Sequence, residues 1–170
     1  RERIAAYGET MTDFARKTGA DWSDGQRFDV LPAMRQYTLR VLGKTLLDVD
    51  IDRTAGALEP LLDALRERLD PRSPSAYVPL WVPTPTNRRV RAARADFEVT
   101  LDQIIAERQA EAAEEREQRD DVLSLLLSLD DGTMSRKRLG HQLLTFLVAG
   151  HDTTALTLTY TWFLLGHHPR

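Results

Sequence analysis

Apolar residues recur along most of this chain at spacings of three and four, the pattern of helices that bury one face. Ile4, Tyr7, Met11 and Phe14 form the first such stripe, ended by Gly19 and the mostly polar run Asp21 to Gln26. Asp29 is placed to cap a second helix, which tolerates Pro32 in its first turn and carries Val30, Met34, Tyr37 and Val41 on one stripe down to about Leu47. A third follows on Leu58, Leu61, Leu62, Leu65 and Leu69. Five of the eight prolines then fall between Pro71 and Asn87, among Tyr77, Leu80 and Trp81, which predicts a connector with apolar contacts of its own.

From about Arg88, the residues Phe97, Leu101, Ile104 and Ile105 carry a further helix. Its later turns, Glu107 to Arg119, are almost wholly charged, glutamine or alanine, so that its far end is expected to project into water as a solvated face. A short apolar helix is predicted over Val122 to Leu129, closed by Asp130-Asp131-Gly132, after which Ser135 can cap the last helix. No segment alternates with period two over the length of a strand, and no internal repeat is visible, so the fold class is all-α.

Leu139 to Leu165 runs about 27 residues without proline, enough for a helix of roughly 40 Å. Leu143, Leu144, Phe146, Leu147, Val148, Leu156, Leu158, Trp162 and Phe163 make its middle apolar on nearly every side, the pattern of a long buried helix. The length also suits a membrane span. His151 and Asp152 at its centre argue against that, since an Asp at mid-bilayer costs about 2.5 to 3.5 kcal/mol on insertion scales.

The chemistry sits in Ala149-Gly150-His151-Asp152-Thr153-Thr154. Gly150 costs up to ~1 kcal/mol against alanine inside a helix, and a buried acid or hydroxyl needs a partner, so several local penalties coincide within one and a half turns. Such coincidences tend to mark functional sites. The Thr153 hydroxyl lies four residues after Ala149 and can bond its carbonyl, competing with the backbone ladder and opening a small cavity for a diatomic ligand or a water. Asp152 and Thr153 then supply an acid and a hydroxyl able to relay protons. The competing structural reading is close helix packing through Ala149 and Gly150, with Asp152 and Thr153 as satisfied buried polar residues. Lone histidines, among them His141, His151, His167 and His168, are more often packing or hydrogen-bonding residues than metal ligands, and no metal ligand is assigned.

Composition narrows the function. With 170 residues, 42% of them hydrophobic, the chain has the size of one soluble domain with a real core. Its 23 basic and 26 acidic residues, a formal charge of −3, give no footprint for a nucleic-acid partner. There is no cysteine, which excludes disulfides, thiolate nucleophiles and any haem-thiolate bond made by these residues. No signal or transit segment is visible at the start, so the expected location is cytoplasmic, and an opening at Arg1 with a close at Pro169-Arg170 suggests that both ends are cut.

The six-residue segment resembles the oxygen-binding helix of cytochromes P-450, whose pattern is Ala/Gly-Gly-x-Asp/Glu-Thr-Thr, and it matches at each specified position. The lead-in Leu143 to Val148, the tail Trp162 to Pro169 and Asp120-Asp121-Val122-Leu123 upstream are similar to that helix's usual surroundings. The resemblance implies a partial domain over residues 1–170 of a mainly helical haem-thiolate monooxygenase, lacking its N-terminal helices and its haem-cysteine region. It implies haem as cofactor, bound beside Ala149, Gly150 and Thr153, and Asp152 and Thr153 as the catalytic residues that deliver protons to oxygen. The implied partners are dioxygen, a small apolar organic substrate and an electron-donating redox partner. In this sequence no Glu is followed three residues later by Arg, and the thiolate that lets such a haem cleave O–O is absent, so these residues alone should be inactive. The alternative from another class is a free-standing helical ligand-binding or interaction domain without haem.

Overall fold

The structure is a computed structural model and describes residues 2–49, 51–112, 114–115, 118–129 and 135–168. Among these residues there are helices and turns and no strand. The chain divides into two compact units, one of Arg1–Ile51 with Ala113–Arg170, the other of Asp52–Ala112.

The first unit contains α1 (Glu2–Ala20), α2 (Val30–Leu42), α5 (Val122–Leu129) and α6 (Arg136–His167). Asp29 caps α2 as its residue type predicts, accepting from the Leu31 N–H at 3.0 Å. α2 packs along α6 and against α1, burying Met34, Leu39 and Val41, while Leu139, Leu143, Leu147 and Ala155 of α6 are buried in the same unit. A Tyr37 hydroxyl on α2 donates to the Met11 carbonyl of α1 at 3.1 Å and ties those two helices.

The stripe expected to run as one helix to Leu47 ends differently. Gly43–Leu47 widens into a π turn, closed by Asp48 in the left-handed region at φ 48° and ψ 42°. Inside this turn the Thr45 hydroxyl donates to the Val41 carbonyl at 2.8 Å, the kind of side-chain competition that disturbs a helical ladder. Burial of Leu46 and Leu47 and packing against α5 hold the turn in place. Asp48 is further gripped by Lys44 and by Arg119 Nη1, the latter at 2.6 Å. Burial pushes the Asp48 carboxyl up, but the two cations outweigh it and leave its pKa below the ordinary value.

The second unit contains α3 (Ile51–Leu69) and α4 (Pro85–Ala110). Leu58, Leu61, Leu62 and Ala64 of α3 are buried, as are Val90, Ala93, Phe97, Leu101, Ile104 and Ile105 of α4. Glu67 on α3 accepts from the Thr86 hydroxyl at 2.8 Å and from Arg89 Nη1 at 2.7 Å on α4. The helix starts at Pro85 rather than near Arg88, because Thr84 accepts from the Asn87 N–H and proline suits the first turn.

Two sequence expectations change here. The connector's aromatic side chains make no core of their own: Tyr77 is 78% and Trp81 77% exposed. Polar ties hold the connector, with Asn87 Nδ2 donating to the Pro79 and Val82 carbonyls, both at 2.9 Å, and Arg68 donating to the Val78 carbonyl at 2.8 Å. The charged far end of α4 does not project as a long helix either. It stops at Ala110, with Arg108 buried and paired to Glu111 at 3.4 Å, and part of the run to Arg119 lies outside the described residues. The turn Asp130-Asp131-Gly132 also lies outside them.

Candidate functional site

α6 starts where its cap predicts, with the Arg138 N–H donating to Ser135 Oγ at 3.3 Å, and runs 32 residues without a break in its α geometry. Its buried residues are Leu139, Leu143, Leu147, His151 and Ala155, one every fourth position. At 3.6 residues per turn that line winds slowly around the helix, so a single stripe is covered and the opposite side stays open. Apolar composition all round therefore overstated the burial of the helix within this chain: Phe146, Leu156, Tyr160, Phe163, Leu164 and Leu165 are exposed.

The motif at mid-helix presents each residue to a different surrounding. His151 points into the core and is 3% exposed. Gly150 faces α2, where a Cβ would come within 3.2 Å of Leu42 Cδ2. On the other flank the Asp152 Oδ1 receives Arg35 Nε at 3.2 Å and stands 3.4 Å from His151 Nδ1. Arg35 and Leu42 are seven residues apart on α2, about two turns or 10 Å. α2 thus passes beneath the motif, meeting Gly150 at Leu42 and Asp152 at Arg35.

Ala149, Thr153 and Thr154 are exposed. At 3.6 residues per turn Ala149 and Thr153 share an arc of roughly 80° with Phe146, Leu156 and Tyr160, so the open face combines a methyl, a hydroxyl and three large apolar side chains. The Thr153 hydroxyl donates to the Ala149 carbonyl at 2.6 Å, the bond its spacing allows. The helix nevertheless keeps its α geometry there, and the widened turn of this unit lies at Gly43–Leu47 instead. Thr157 and Thr161 repeat the arrangement, donating to the carbonyls of Thr153 at 2.8 Å and Thr157 at 2.9 Å.

Two participants were beyond sequence reasoning. Arg35 is 117 residues from Asp152, and its position next to Met34 on a half-buried helix is the one hint that it faces another element. Leu42 as the neighbour of Gly150 left no trace in the local pattern. Beyond the motif, Trp162 packs edge-on against Trp22 at 5.3 Å between ring centres, and Trp22 against Phe28 at 4.9 Å. Among the described residues no helix is long and apolar enough to cross a membrane.

Comparison with known proteins adds the wider frame. The family model described as cytochrome P-450 matches residues 1–170. Cyclooctat-9-en-7-ol 5-monooxygenase of Streptomyces melanosporofaciens is 34% identical over 184 residues, covering 98% of this chain and 37% of the relative. Pentalenene oxygenase of Streptomyces avermitilis is 30% identical over 173 residues, covering 99% and 38%. The fold matches the retinoic acid bound cyanobacterial CYP120A1 with a TM-score of 0.79 at 22% identity, over 99% of this chain and 37% of that one. The chain thus spans well under half the length of the relatives it matches.

Proposed function

Since the chain belongs to the cytochrome P-450 family, we propose that it is the oxygen-activating segment of a haem-thiolate monooxygenase that oxidises a small apolar organic substrate. The observation that carries the reading is the open face of α6, where Ala149 and the Thr153 hydroxyl lie together at the middle of the helix. The residues fit a flat, largely apolar prosthetic group. Ala149 is small enough for close approach, Phe146, Leu156 and Tyr160 extend the apolar surface, and Thr153 places one polar atom on it. Ala149 and Thr153 would hold the haem from this side, with Gly150 giving the backbone its close seat on α2.

Haem, when bound with a thiolate from outside these 170 cysteine-free residues, supplies the reductive activation of dioxygen. The chain's own part is to hold and move protons. The single hydroxyl proton of Thr153 is committed to the Ala149 carbonyl, so its oxygen faces the site as an acceptor. To donate, it must first leave that carbonyl, a step of about 1 kcal/mol for one hydrogen bond. Asp152, one residue away on the flank and part exposed, is the group able to resupply that proton once its carboxylate has taken one up from solvent.

The electrons come from a redox partner protein, and dioxygen is the co-substrate. The names of two relatives, cyclooctat-9-en-7-ol 5-monooxygenase and pentalenene oxygenase, support a mostly hydrocarbon substrate.

A reduced carbon-monoxide difference spectrum of the full-length protein tests this reading. A thiolate-type Soret band is expected, and absence of haem uptake overturns it. Thr153→Ala should keep haem and its spectrum while diverting reducing equivalents from product to hydrogen peroxide, since proton-transfer help of this kind is worth roughly 10²- to 10⁴-fold.

A further inference from the structure

The chain leaves the first unit after Ile51 and returns to it at Ala113. Asp48 stands three residues before the exit and Arg119 six residues after the return, and the two pair at 2.6 Å across 71 residues of sequence. Both belong to the first unit, so the pair joins the two ends of the Asp52–Ala112 excursion on that unit alone. Each end is anchored beside the pair. Asp48 is the one non-glycine residue at positive φ among the described residues, in a left-handed conformation that aspartate tolerates better than most. Its N–H donates to the Lys44 carbonyl at 3.1 Å and its Oδ1 accepts from Lys44 Nζ, which leaves Oδ2 for Arg119. On the returning chain the Asp120 carbonyl accepts from the Tyr7 hydroxyl of α1, and the buried Asp121 carboxylate accepts from the Ser124 N–H at 2.9 Å at the start of α5.

With 21% of the aspartate and 33% of the arginine side chain exposed, the pair adds little to the stability of the whole chain, so its effect is local. Folded chains open in cooperative pieces, and an opening runs along the backbone until contacts stop it. Gly43, where the π turn begins, follows Leu42, the residue that meets Gly150. An opening that ran back past Asp48 would therefore reach the seat of the motif within about two turns of chain. We propose that Asp48 and Arg119 form a clasp that stops openings of the 52–112 unit at its two ends and so keeps them from the π turn, α2 and the mid-helix motif. The clasp touches nothing bound on α6; it confines motion that starts elsewhere.

Amide hydrogen exchange of the full-length protein, read by peptide mass spectrometry, tests this without reference to turnover. The variants are Arg119→Met, Asp48→Asn, their double and Lys44→Met. In Arg119→Met the peptides over 43–49 and 118–125 should exchange roughly fivefold faster, the upper end for a part-exposed pair, while those over α1 and α6 keep their rates. Asp48→Asn should show most of the same rise, because asparagine keeps the tolerance of the left-handed region and loses the charge. Adding Arg119→Met to it should change the rates no further, as for two residues that act on each other. Lys44→Met should change them less than twofold, since that pair lies inside the turn and does not span the excursion.

Unchanged exchange over 43–49 and 118–125 in both single variants overturns the proposal and leaves the proposed function standing. A rise that extends evenly over α1 and α6 also overturns it, since the pair would then support the unit as a whole and not its boundary. So do additive effects in the double variant, or a Lys44→Met rise equal to that of Arg119→Met, which would place the effect inside the π turn. Should Arg119→Met not fold, Arg119→Gln takes its place in the same comparison.

Discussion

The two longest helices among the described residues bury themselves by opposite rules. α4, with 26 residues, hides Val90, Ala93, Phe97, Leu101, Ile104 and Ile105 on one face and shows charge on the other, so its sequence pattern states in advance which side is inside. α6, with 32 residues, is apolar on nearly every side yet hides only the line Leu139, Leu143, Leu147, His151 and Ala155. A two-sided pattern orients a helix by itself. A one-sided composition leaves orientation to the neighbours, and in α6 the neighbour is α2, which fixes the open face by meeting the motif at Gly150 and Asp152.

Core truncation separates the two rules most sharply. Phe97→Ala, at a side chain with 0% exposure in the patterned helix, should cost about 3 to 5 kcal/mol in denaturant unfolding. Leu147→Ala, on the covered line of α6, should cost about 2 to 5 kcal/mol, falling toward the lower end because the cavity borders a helix open on its other side. A Leu147→Ala cost well above that of Phe97→Ala would break the comparison. The smallest effect is expected at Gly150→Ala, within about 1 kcal/mol in either direction. The gain in helix propensity opposes a displacement of Leu42 by a few tenths of an ångström, and the atom displaced is the tip of a flexible side chain. A cost of several kcal/mol there would mean that α2 cannot yield, and the contact beneath the motif would be far stiffer than that of an ordinary helix pair.

Much of this was legible in the sequence, and the omissions have physical reasons. Periodicity located the helices, and the caps Asp29 and Ser135 are local hydrogen bonds that residue type alone can signal. The bond from Thr153 to the Ala149 carbonyl was legible because it spans four residues of one helix. The π turn at Gly43–Leu47 was not, since the Thr45 hydroxyl that accompanies it makes the same kind of bond as Thr153 and Thr38, both of which sit in regular α-helix. The polar ties of Asn87 escaped notice because an amide reaching two carbonyls leaves no periodic trace. Arg35 was invisible as a partner of Asp152 because spacing carries no information across 117 residues.

Along the open side of α6 the positions Ala149, Thr153, Thr157 and Thr161 follow one another at every fourth residue, and each of the three hydroxyls turns its hydrogen back to the carbonyl one turn earlier. Seen from outside, the strip is electron-rich: it offers lone pairs and methyl groups, with every hydroxyl hydrogen facing inward. A visitor that brings a hydrogen to share finds a welcome anywhere along it, whereas an anion finds none. The row therefore sorts what can rest against the helix by the direction of its polarity before any shape is read.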